Sequence, residues 1–199
     1  MTEKFIQKTI IYGKEIHIDM IEVEKKFQPT PEQLAKLLDG AEFLGEVTLH
    51  DLYYDFADLR LIKNDIRLRK RNDGYELKIG AGNGIAQELE TEEDIQKYFG
   101  TEIPIGDFVR ENMFEVINFK NHRKKYKKDN FTIDVDSMDF GYQLVEIELL
   151  VSDESEIAEA EQKIYALAES FGIEKKKLPQ KREEYFRLKK PEIYRELYG

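Results

Sequence analysis

The stretch Ile21–Phe27 constrains the fold most, because ionisable and apolar side chains alternate along it. In an extended strand successive side chains point to opposite faces, so Glu22, Glu24 and Lys26 share one face. A lone strand of this kind usually has its polar face in water. The same spacing of two recurs in further runs rich in apolar residues, at Arg69/Arg71, Asp134/Asp136 and Glu146/Glu148. Charged pairs of both signs on several strands therefore predict a sheet whose polar face lines a shared cavity.

The composition is that of a folded, acidic protein. The chain has 199 residues, of which 41% are hydrophobic and 12% aromatic, enough to bury a core within one domain. Its formal net charge of −10 argues against nucleic acid or an anionic membrane as the main partner. A small anionic ligand in a locally basic pocket remains compatible with this charge.

Several classes of protein are excluded by what the sequence lacks. It contains no cysteine, which excludes disulfides, thiolate metal sites and a cysteine nucleophile. No stretch approaches the ~18 apolar residues of a membrane-spanning helix, and no secretory signal is recognisable. We therefore expect a cytoplasmic protein with no membrane partner. The sequence carries no signal for an oligomeric state, and we favour a monomer.

Helix signals occur at a few places. Thr30–Gln33 predicts a helix start with a capping box and Pro31 at the first helical position. Helices are also predicted over the ranges 91–99 and 153–171. Each of these three patterns is followed by a glycine, which is typical of helix C-termini. A helical tail, broken at Pro191, completes the chain.

Strand signals are more numerous than helix signals. Besides the range 21–27, strands are predicted at 47–55, 66–71, 75–79, 85–90, 112–119, 122–128, 131–137 and 142–151. Asn72-Asp73-Gly74 predicts a tight hairpin turn between two of them. Ala81–Gly84 is interpreted as a turn, because it lacks the lysine and Ser/Thr of a phosphate-binding loop. Pro104 and Gly106 predict a further loop.

Residues 1–20 precede this pattern and contain two short apolar runs, which predict an extra strand or hairpin. We interpret them as an N-terminal extension of unknown role ahead of one domain over residues 21–199. Many strands joined by hairpins, with few helices, predict an α+β chain centred on a meander or a closed barrel. An alternating β-α-β fold does not fit this order.

The inward-facing positions would bring basic and acidic side chains together. They are Glu22, Glu24, Lys26, Arg69, Arg71, Lys78, Glu88, Arg123, Asp134, Glu146 and Glu148. Burying these groups requires mutual pairing or a ligand that needs both signs. A triphosphate with Mg²⁺ or Mn²⁺ is such a ligand, because arginine and lysine neutralise phosphate oxygens and carboxylates hold a hard cation. Hydrolysis of a phosphoanhydride then needs positioning, charge neutralisation and an oriented water rather than a covalent nucleophile.

The range Lys120–Lys128 is strongly basic, with six lysine or arginine residues. A nucleic-acid patch is one interpretation, and a strand with Arg123 inward and the other side chains in water is the other. In a chain this acidic we favour the strand, on which Lys125 shares the face of Arg123. The three histidines are scattered without a metal-ligand pattern, so we expect no ligand or general base among them.

The motifs, taken in order, resemble those of the CYTH family, whose members are also called triphosphate tunnel metalloenzymes. They are the Glu-x-Glu-x-Lys run within Ile21–Phe27, Tyr53-Tyr54-Asp55, Leu68-Arg69-Lys70-Arg71, Tyr75-Glu76-Leu77-Lys78, Asp134-Val135-Asp136 and Glu146-Ile147-Glu148. The resemblance covers about residues 21–198 and is greatest to the thiamine triphosphatase branch. Asp139–Tyr142 and a tail with Pro179, Lys181 and Tyr185 resemble that branch.

The resemblance implies a closed antiparallel eight-stranded β-barrel, or tunnel, with helices packed outside and a small-molecule triphosphate inside. It implies that the substrate phosphates are bound by Lys26, Arg69, Arg71, Lys78, Arg123 and Lys181. It implies that Mg²⁺ or Mn²⁺ and the attacking water are held by Glu22, Glu24, Asp134, Glu146 and Glu148, with Glu88 as a possible further site residue. Lys26, Arg69 and Glu24 are then the expected catalytic residues. Asp136 is the weaker metal candidate, and a polar position at the tunnel mouth is its alternative interpretation.

One position departs from that branch. In animal thiamine triphosphatases a tryptophan near the start of the arginine strand stacks on the thiamine. This chain has no tryptophan, and Arg67 stands at about that position. Tyr53, Tyr54 and Tyr142 are the candidate replacements for stacking.

We therefore expect a metal-dependent enzyme that hydrolyses a triphosphate to diphosphate and phosphate, with thiamine triphosphate as the first candidate substrate. Inorganic tripolyphosphate is the main alternative. An adenylyl cyclase, an RNA 5′-triphosphatase, a non-catalytic polyphosphate-binding module and a structural barrel with internal salt bridges are further alternatives. The sequence has no recognisable adenine-reading motif, and its carboxylates exceed what phosphate binding alone needs.

Overall fold

Nine strands and seven α-helices form the part of the chain that the computed structural model describes. That part is residues 2–11, 14–80 and 85–199, with side chains described over 20–80 and 86–199. The strands are β1 (Thr2–Ile11), β2 (Lys14–Phe27), β3 (Glu42–Asp55), β4 (Ile66–Arg71), β5 (Gly74–Ile79), β6 (Ile85–Leu89), β7 (Phe114–Lys128), β8 (Phe131–Met138) and β9 (Gln143–Val151). The helices are α1 (Pro31–Leu38), α2 (Arg60–Lys63), α3 (Glu92–Phe99), α4 (Ile105–Asn112), α5 (Ile157–Ser170), α6 (Lys181–Lys189) and α7 (Pro191–Tyr198).

Eight of the strands form one curled antiparallel sheet. Their order is β2-β9-β8-β7-β3-β4-β5-β6, and each neighbouring pair is antiparallel. β1 pairs antiparallel with β2 along its length, and its residues Thr2–Lys4 pair in parallel with β6. The predicted α+β class and its eight antiparallel strands are confirmed. The prediction of an extra strand within residues 1–20 is also correct, although Gly13 lies outside the described residues.

The convex side of β2 and β9 is apolar and is covered by α1 and α5. Ile21 and Val23 of β2 are buried there with Ile147 of β9, Leu37 of α1 and Ile164 of α5. Burying each of these large apolar side chains stabilises the fold by about 1.5–3 kcal/mol. Because side chains alternate along a strand, this packing turns the charged residues between them toward the concave side.

The other helices cover the remaining strands. α3 and α4 bury Ile95 and Val109 against Leu68 of β4 and Leu77 of β5. β4 and β5 therefore also have an apolar convex side and a charged concave side, as β2 and β9 do.

An aromatic cluster fixes the position of α6. Phe140 contacts Phe119 of β7 and Tyr185 of α6, with ring centroids 5.2 and 5.4 Å apart. The hydroxyl of Tyr142 donates a hydrogen bond of 2.8 Å to the carbonyl oxygen of Pro179, just before the helix. Tyr142 and Tyr185 are thus part of the core, and α6 begins at a defined point of the sheet.

The predicted helix boundaries hold where a side-chain cap is present. The hydroxyl of Thr30 accepts a hydrogen bond from the Gln33 N–H at 3.3 Å, and the Gln33 side chain accepts one from the Thr30 N–H at 2.9 Å. At the start of α3 the hydroxyl of Thr91 accepts a hydrogen bond of 3.2 Å from the Asp94 N–H, and Gly100 ends this helix at a φ of 65°. The long helix predicted over 153–171 is a 3₁₀ turn over Glu154–Glu156 followed by α5.

Two predictions about the chain between strands were wrong. The loop inferred from Pro104 and Gly106 is helix α4, because Pro104 occupies the N-cap position and Ile105 and Val109 are buried. The two strands predicted within 112–128 are one strand, β7, which pairs with β3 over almost its full length.

A third difference concerns the hairpin and the turn near it. The turn between β4 and β5 is present, but the positive φ of 52° is at Asn72 and not at the Asp-Gly pair. The turn predicted at 81–84 lies outside the described residues. No helix in the described part of the chain is long and apolar enough to span a membrane.

Candidate active site

The concave side of the sheet encloses a polar cavity of about 320 Å³. It is lined by Glu22, Glu24, Lys26, Tyr53, Arg67, Arg69, Arg71, Glu76, Lys78, Glu88, Glu90, Arg123, Lys125, Glu146, Glu148, Gln180, Lys181 and Arg182. Of the predicted site residues, all except Asp134 are in this lining. Asp134 is fully buried and lies behind the lining, where it contacts the lining residues Arg123 and Lys125. The structure thus brings the predicted residues into one hollow.

Five carboxylates from three adjacent strands form one side of the cavity, here called the carboxylate wall. They are Glu22 and Glu24 of β2, Asp134 of β8, and Glu146 and Glu148 of β9. Strand register explains their meeting, because Glu24 lies opposite Glu148 and Asp134 lies opposite Glu146.

The carboxylate wall contains two sets of oxygens close enough to share one cation. Oxygens of Glu22, Glu24 and Glu148 lie within 4.8 Å of one another, and so do oxygens of Asp134, Glu146 and Glu148. Divalent Mg²⁺ and Ca²⁺ prefer carboxylate oxygens as ligands. Glu148 belongs to both sets, so it is the central residue of the candidate metal site.

Burial makes this concentration of negative charge unfavourable. Desolvation and the neighbouring Glu22 and Asp134 raise the pKa of Glu148 to about 9. Desolvation and Glu24 raise the pKa of Glu22 to about 7. A hard divalent cation between these oxygens would remove that repulsion, and the donor set therefore fits a metal of this kind.

Glu146 differs from the other carboxylates because cations surround it. Its oxygen Oε1 lies 3.0 Å from the Lys26 ammonium and 2.9 Å from the Lys181 ammonium, and Arg123 contacts Oε2. Burial alone would raise the pKa of Glu146, but Lys26, Lys181 and Arg123 outweigh it and hold the pKa well below its ordinary value. Glu146 therefore joins the carboxylate wall to a group of three cations.

Asp136 holds two of those cations in place. Nε and Nη2 of Arg123 lie 2.7 Å from its two carboxylate oxygens, and Lys181 also contacts it. Asp136 is fully buried and lies in neither set of clustered oxygens. The interpretation of Asp136 as a polar residue at the tunnel mouth stays a prediction, and its contacts are those of a residue that positions Arg123 and Lys181.

The opposite side of the cavity is basic and is here called the arginine wall, which consists of Arg69, Arg71 and Lys78 of β4 and β5. Asp51 of β3 binds Arg71 through two hydrogen bonds of 2.7 and 3.0 Å. Glu76 accepts a 2.6 Å hydrogen bond from Nε of Arg69. Each arginine is thus held by a carboxylate on a neighbouring strand, with further N–H groups left to face the cavity.

Glu88 lies beside the arginine wall and not in the carboxylate wall. It lies opposite Lys78 in the strand register, and one of its oxygens is 3.5 Å from Nη2 of Arg69. Burial lowers the pKa of Lys78, and the nearby Glu88 and Glu146 oppose this effect. Burial also acts to lower the pKa of Lys26, but Glu146 and Glu24 raise it above its ordinary value. Lys26 therefore stays charged.

Several lining residues were not among the predicted site residues. Glu76 lines the cavity and shares a strand face with Lys78, whereas Asp51 is outside the lining but lies opposite Arg71 and binds it. The spacing of two and the strand pairing were the signals that could have found these two residues. Arg182 directly follows the predicted Lys181, but a helical neighbour gives no such face signal. Arg67 precedes Arg69 by two and fits the same alternation.

Comparison with known proteins agrees with this geometry. Residues 20–181 match the CYTH domain family. The thiamine-triphosphatases of Homo sapiens and Macaca fascicularis are each 31% identical to this chain, and the alignments cover 89% of the chain and 89% of each relative.

Solved structures share the fold. The PH1819 protein of Pyrococcus horikoshii OT3 is 27% identical, with a TM-score of 0.58, and the match covers 80% of this chain and 94% of that protein. The PH1012 protein of the same organism is 22% identical, with a TM-score of 0.57, over 89% and 99% of the two chains. With its family match, its curated relatives and its two facing walls of opposite charge, this chain belongs to the CYTH domain family.

Proposed function

We propose that the protein hydrolyses a triphosphate to a diphosphate and phosphate, with thiamine triphosphate as the leading substrate and Mg²⁺ or Mn²⁺ as the required ion. One observation carries the proposal: clustered carboxylates and a row of positioned arginines face each other across a single cavity. The two curated relatives named above are thiamine-triphosphatases, which supports the choice of substrate.

In this proposal the metal is held by Glu22, Glu24 and Glu148, with Asp134 and Glu146 completing the site. A divalent ion bound there supplies charge neutralisation at the phosphate oxygens. The clustered oxygens and the raised pKa values of Glu22 and Glu148 support this assignment, because a bound cation would stabilise the ionised form of such crowded carboxylates.

The basic residues bind and orient the triphosphate. Arg69, Arg71 and Lys78 contact phosphate oxygens from one side, and Lys26, Arg123 and Lys181 from the other. Guanidinium groups match phosphate oxygens in pairs, and positioned cations stabilise the charge that shifts onto the leaving oxygen. Asp51 and Asp136 keep Arg71 and Arg123 in one orientation, so little ordering is needed when the substrate arrives.

Lys26, Arg69 and Glu24 are the proposed catalytic residues. Lys26 and Arg69 stabilise the transferred phosphoryl group, and Glu24, in contact with the Lys26 ammonium, orients the attacking water. The roles of these residues rest on position, since phosphoryl transfer requires little covalent chemistry from the protein.

We also propose that the sheet closes into a tunnel around the substrate within a domain of residues 21–199. The pairing of β1 with both β2 and β6 supports closure, because β1 then lies between the two end strands of the antiparallel sheet. A closed barrel leaves no unpaired edge and holds its interior side chains rigidly.

Inorganic tripolyphosphate is the second candidate substrate. The cavity lining favours it, because Tyr53 is the one aromatic residue there among the described side chains, and all others except Gln180 are charged. Every part of a substrate made of phosphate alone could form ionic contacts with such a lining.

A phosphate-release assay tests the proposal. The full-length protein is incubated with Mg²⁺ or Mn²⁺ and with thiamine triphosphate, tripolyphosphate, ATP or RNA 5′-triphosphate. We expect metal-dependent release from thiamine triphosphate or tripolyphosphate and little from the other two. Tight binding without release from any substrate would replace the proposal with a non-catalytic binding module.

A further inference from the structure

Two arginines lie side by side at the end of the cavity where α6 begins, and they are here called the arginine pair: Arg67 at the start of β4 and Arg182 at the start of α6. Lys181, the residue before Arg182, contacts Asp136 and Glu146. Asp136 lies two residues along β8 from Asp134 and belongs to neither set of candidate metal oxygens, and Glu146 lies two residues along β9 from Glu148, which belongs to both sets. The arginine pair is therefore on the α6 side of the cavity.

The arginine pair shares one carboxylate. Oδ1 of Asp65 lies 2.7 Å from Nη2 of Arg182 and 3.8 Å from Nη2 of Arg67. The side chain of Asp65 is 55% exposed, whereas those of Arg67 and Arg182 are 11% and 12% exposed. The anion is thus largely in water and the two cations are largely buried. An exposed carboxylate compensates buried guanidiniums only weakly.

Arg182 has buried donors that the protein leaves unused. Its Nε and Nη1 atoms are buried and have no hydrogen-bond acceptor among the described residues. Buried charged donors are normally satisfied, so each such atom calls for a partner. Burial and the adjacent Arg182 also lower the pKa of Arg67, which shows the repulsion between the two cations. An anion between them would satisfy the donors and relieve the repulsion.

The arginine wall and the pair together exceed what a triphosphate needs. Arg67, Arg69 and Arg71 face the same cavity, and the first and last are separated by four residues of strand, roughly 13 Å. This row is longer than three linked phosphates, so a triphosphate held at the carboxylate wall leaves the α6 end to another group.

We propose that the arginine pair is an additional anion subsite, which binds a phosphate beyond the third and makes linear polyphosphates of four or more units ligands of this cavity. The inference deepens the proposed function, on which it rests, by extending its substrate class. Phosphate fits the subsite because two guanidiniums offer paired donors for its oxygens. A cationic head group such as thiamine gains nothing from this subsite.

Calorimetric titration tests the subsite without turnover. The full-length protein, in EDTA and at low ionic strength, is titrated with linear tripolyphosphate and with linear tetrapolyphosphate. We expect tetrapolyphosphate to bind at least about tenfold more tightly, the usual gain from one further charge-assisted contact. Equal affinities, or no binding of either ion, would overturn the proposal.

Three variants assign the effect to the pair. In Arg182→Gln and Arg67→Gln the preference for tetrapolyphosphate should fall to near one, while tripolyphosphate binding changes little. Asp65→Asn should increase the preference, because it removes the competing carboxylate, and asparagine tolerates the positive φ of 55° at this position. Arg110→Gln, on the exposed face of α4, is the matched control and should leave the preference unchanged. A preference that survives in both arginine variants contradicts the assignment.

Failure of the subsite and failure of the proposed function are distinguishable on the same protein. Release of phosphate from thiamine triphosphate with no preference for tetrapolyphosphate would reject the subsite alone. The preference without release from any triphosphate would reject the proposed function and retain the subsite.

Discussion

The carboxylate wall and the arginine wall face the same cavity but are stabilised in opposite ways. In the carboxylate wall Glu148 is buried beside other acids and is repelled by Glu22 and Asp134, whereas Glu146 is compensated by Lys26, Lys181 and Arg123. In the arginine wall each guanidinium is already paired, and Arg69 and Arg71 keep 20% and 25% of their side chains exposed. The acids around Glu148 therefore repel one another, whereas Arg69 and Arg71 of the arginine wall are each paired with a carboxylate.

This difference separates two kinds of preorganisation. The arginine wall is held in place by the protein's own Asp51 and Glu76, so in the proposed function it is already oriented for phosphate. In the proposed function the carboxylate wall needs a cation, because its clustered oxygens include those of Glu148, which Glu22 and Asp134 repel. Substitutions should therefore affect phosphate binding in one wall and the metal requirement in the other.

The largest effect is expected from truncating a catalytic cation. Arg69→Ala, or Lys26→Ala from the other side of the cavity, should lower kcat/KM by about 10²–10³, because a positioned charge at the phosphoryl group is lost. Phosphate release measures the effect, and circular dichroism should be unchanged. Arg110→Ala, on the exposed face of α4, is the control and should keep full activity. Full activity in either cavity variant would show that the inward-facing cations do not act on the substrate.

A smaller effect, in a different parameter, is expected from the carboxylate wall. Glu148→Gln removes a charge shared by both oxygen sets and should raise the metal concentration for half-maximal activity by roughly 10–100-fold. Activity should return in part at saturating Mg²⁺ or Mn²⁺. Glu159→Gln, exposed on α5, is the control. An unchanged metal titration would remove Glu148 from the proposed ligands.

Much of the site follows from the sequence because strand periodicity is a local property. The alternation in Ile21–Phe27 sets which face of β2 is charged, and the same spacing at Arg69 and Arg71 sets the face of β4. Those rules needed no knowledge of distant contacts. The alternation predicted which residues line the cavity, but it could not predict which carboxylate pairs with which lysine or arginine.

The parts that the sequence did not reveal depend on packing between distant segments. Helix α4 forms because Pro104, as its N-cap, breaks no intrahelical hydrogen bond, and burial of Ile105 and Val109 outweighs the low helix propensity of Gly106. The role of Asp136 depends on Lys181, which is far along the chain and reaches it only because α6 docks on the aromatic cluster. Arg182 enters the cavity for the same reason.

A more moderate effect is expected from Asp51, which positions Arg71 in the arginine wall but does not itself contact the substrate in the proposed function. Asp51→Asn keeps the shape of a nearly fully buried side chain but weakens its two hydrogen bonds to Arg71. We expect KM to rise about tenfold with the metal titration unchanged, because the loss is in phosphate orientation. Steady-state kinetics at several metal concentrations measure both. Asp107→Asn, on α4, is the control, and an unchanged KM in Asp51→Asn would show that Arg71 needs no such support.

The smallest expected effect concerns stability rather than turnover. In EDTA the folded protein holds a proton on Glu148 up to a pKa of about 9, whereas the ordinary value is 4.5, and Glu22 is shifted in the same direction to about 7. The folded state therefore binds more protons between these values. The resulting stabilisation is fully present below pH 4.5 and is lost as the pH rises toward 9.

Urea unfolding at pH 5.5, 7 and 8.5 measures this loss, and we expect the midpoint in EDTA to fall by on the order of 1 M across the range. Saturating Mg²⁺ should reduce the fall, because the ion binds the ionised carboxylates of the folded state. Glu148→Gln should flatten the profile, since the amide has no proton to lose. A midpoint in EDTA that is constant or rises with pH would mean that the carboxylate wall carries no uncompensated charge, and the contrast with the arginine wall would then disappear.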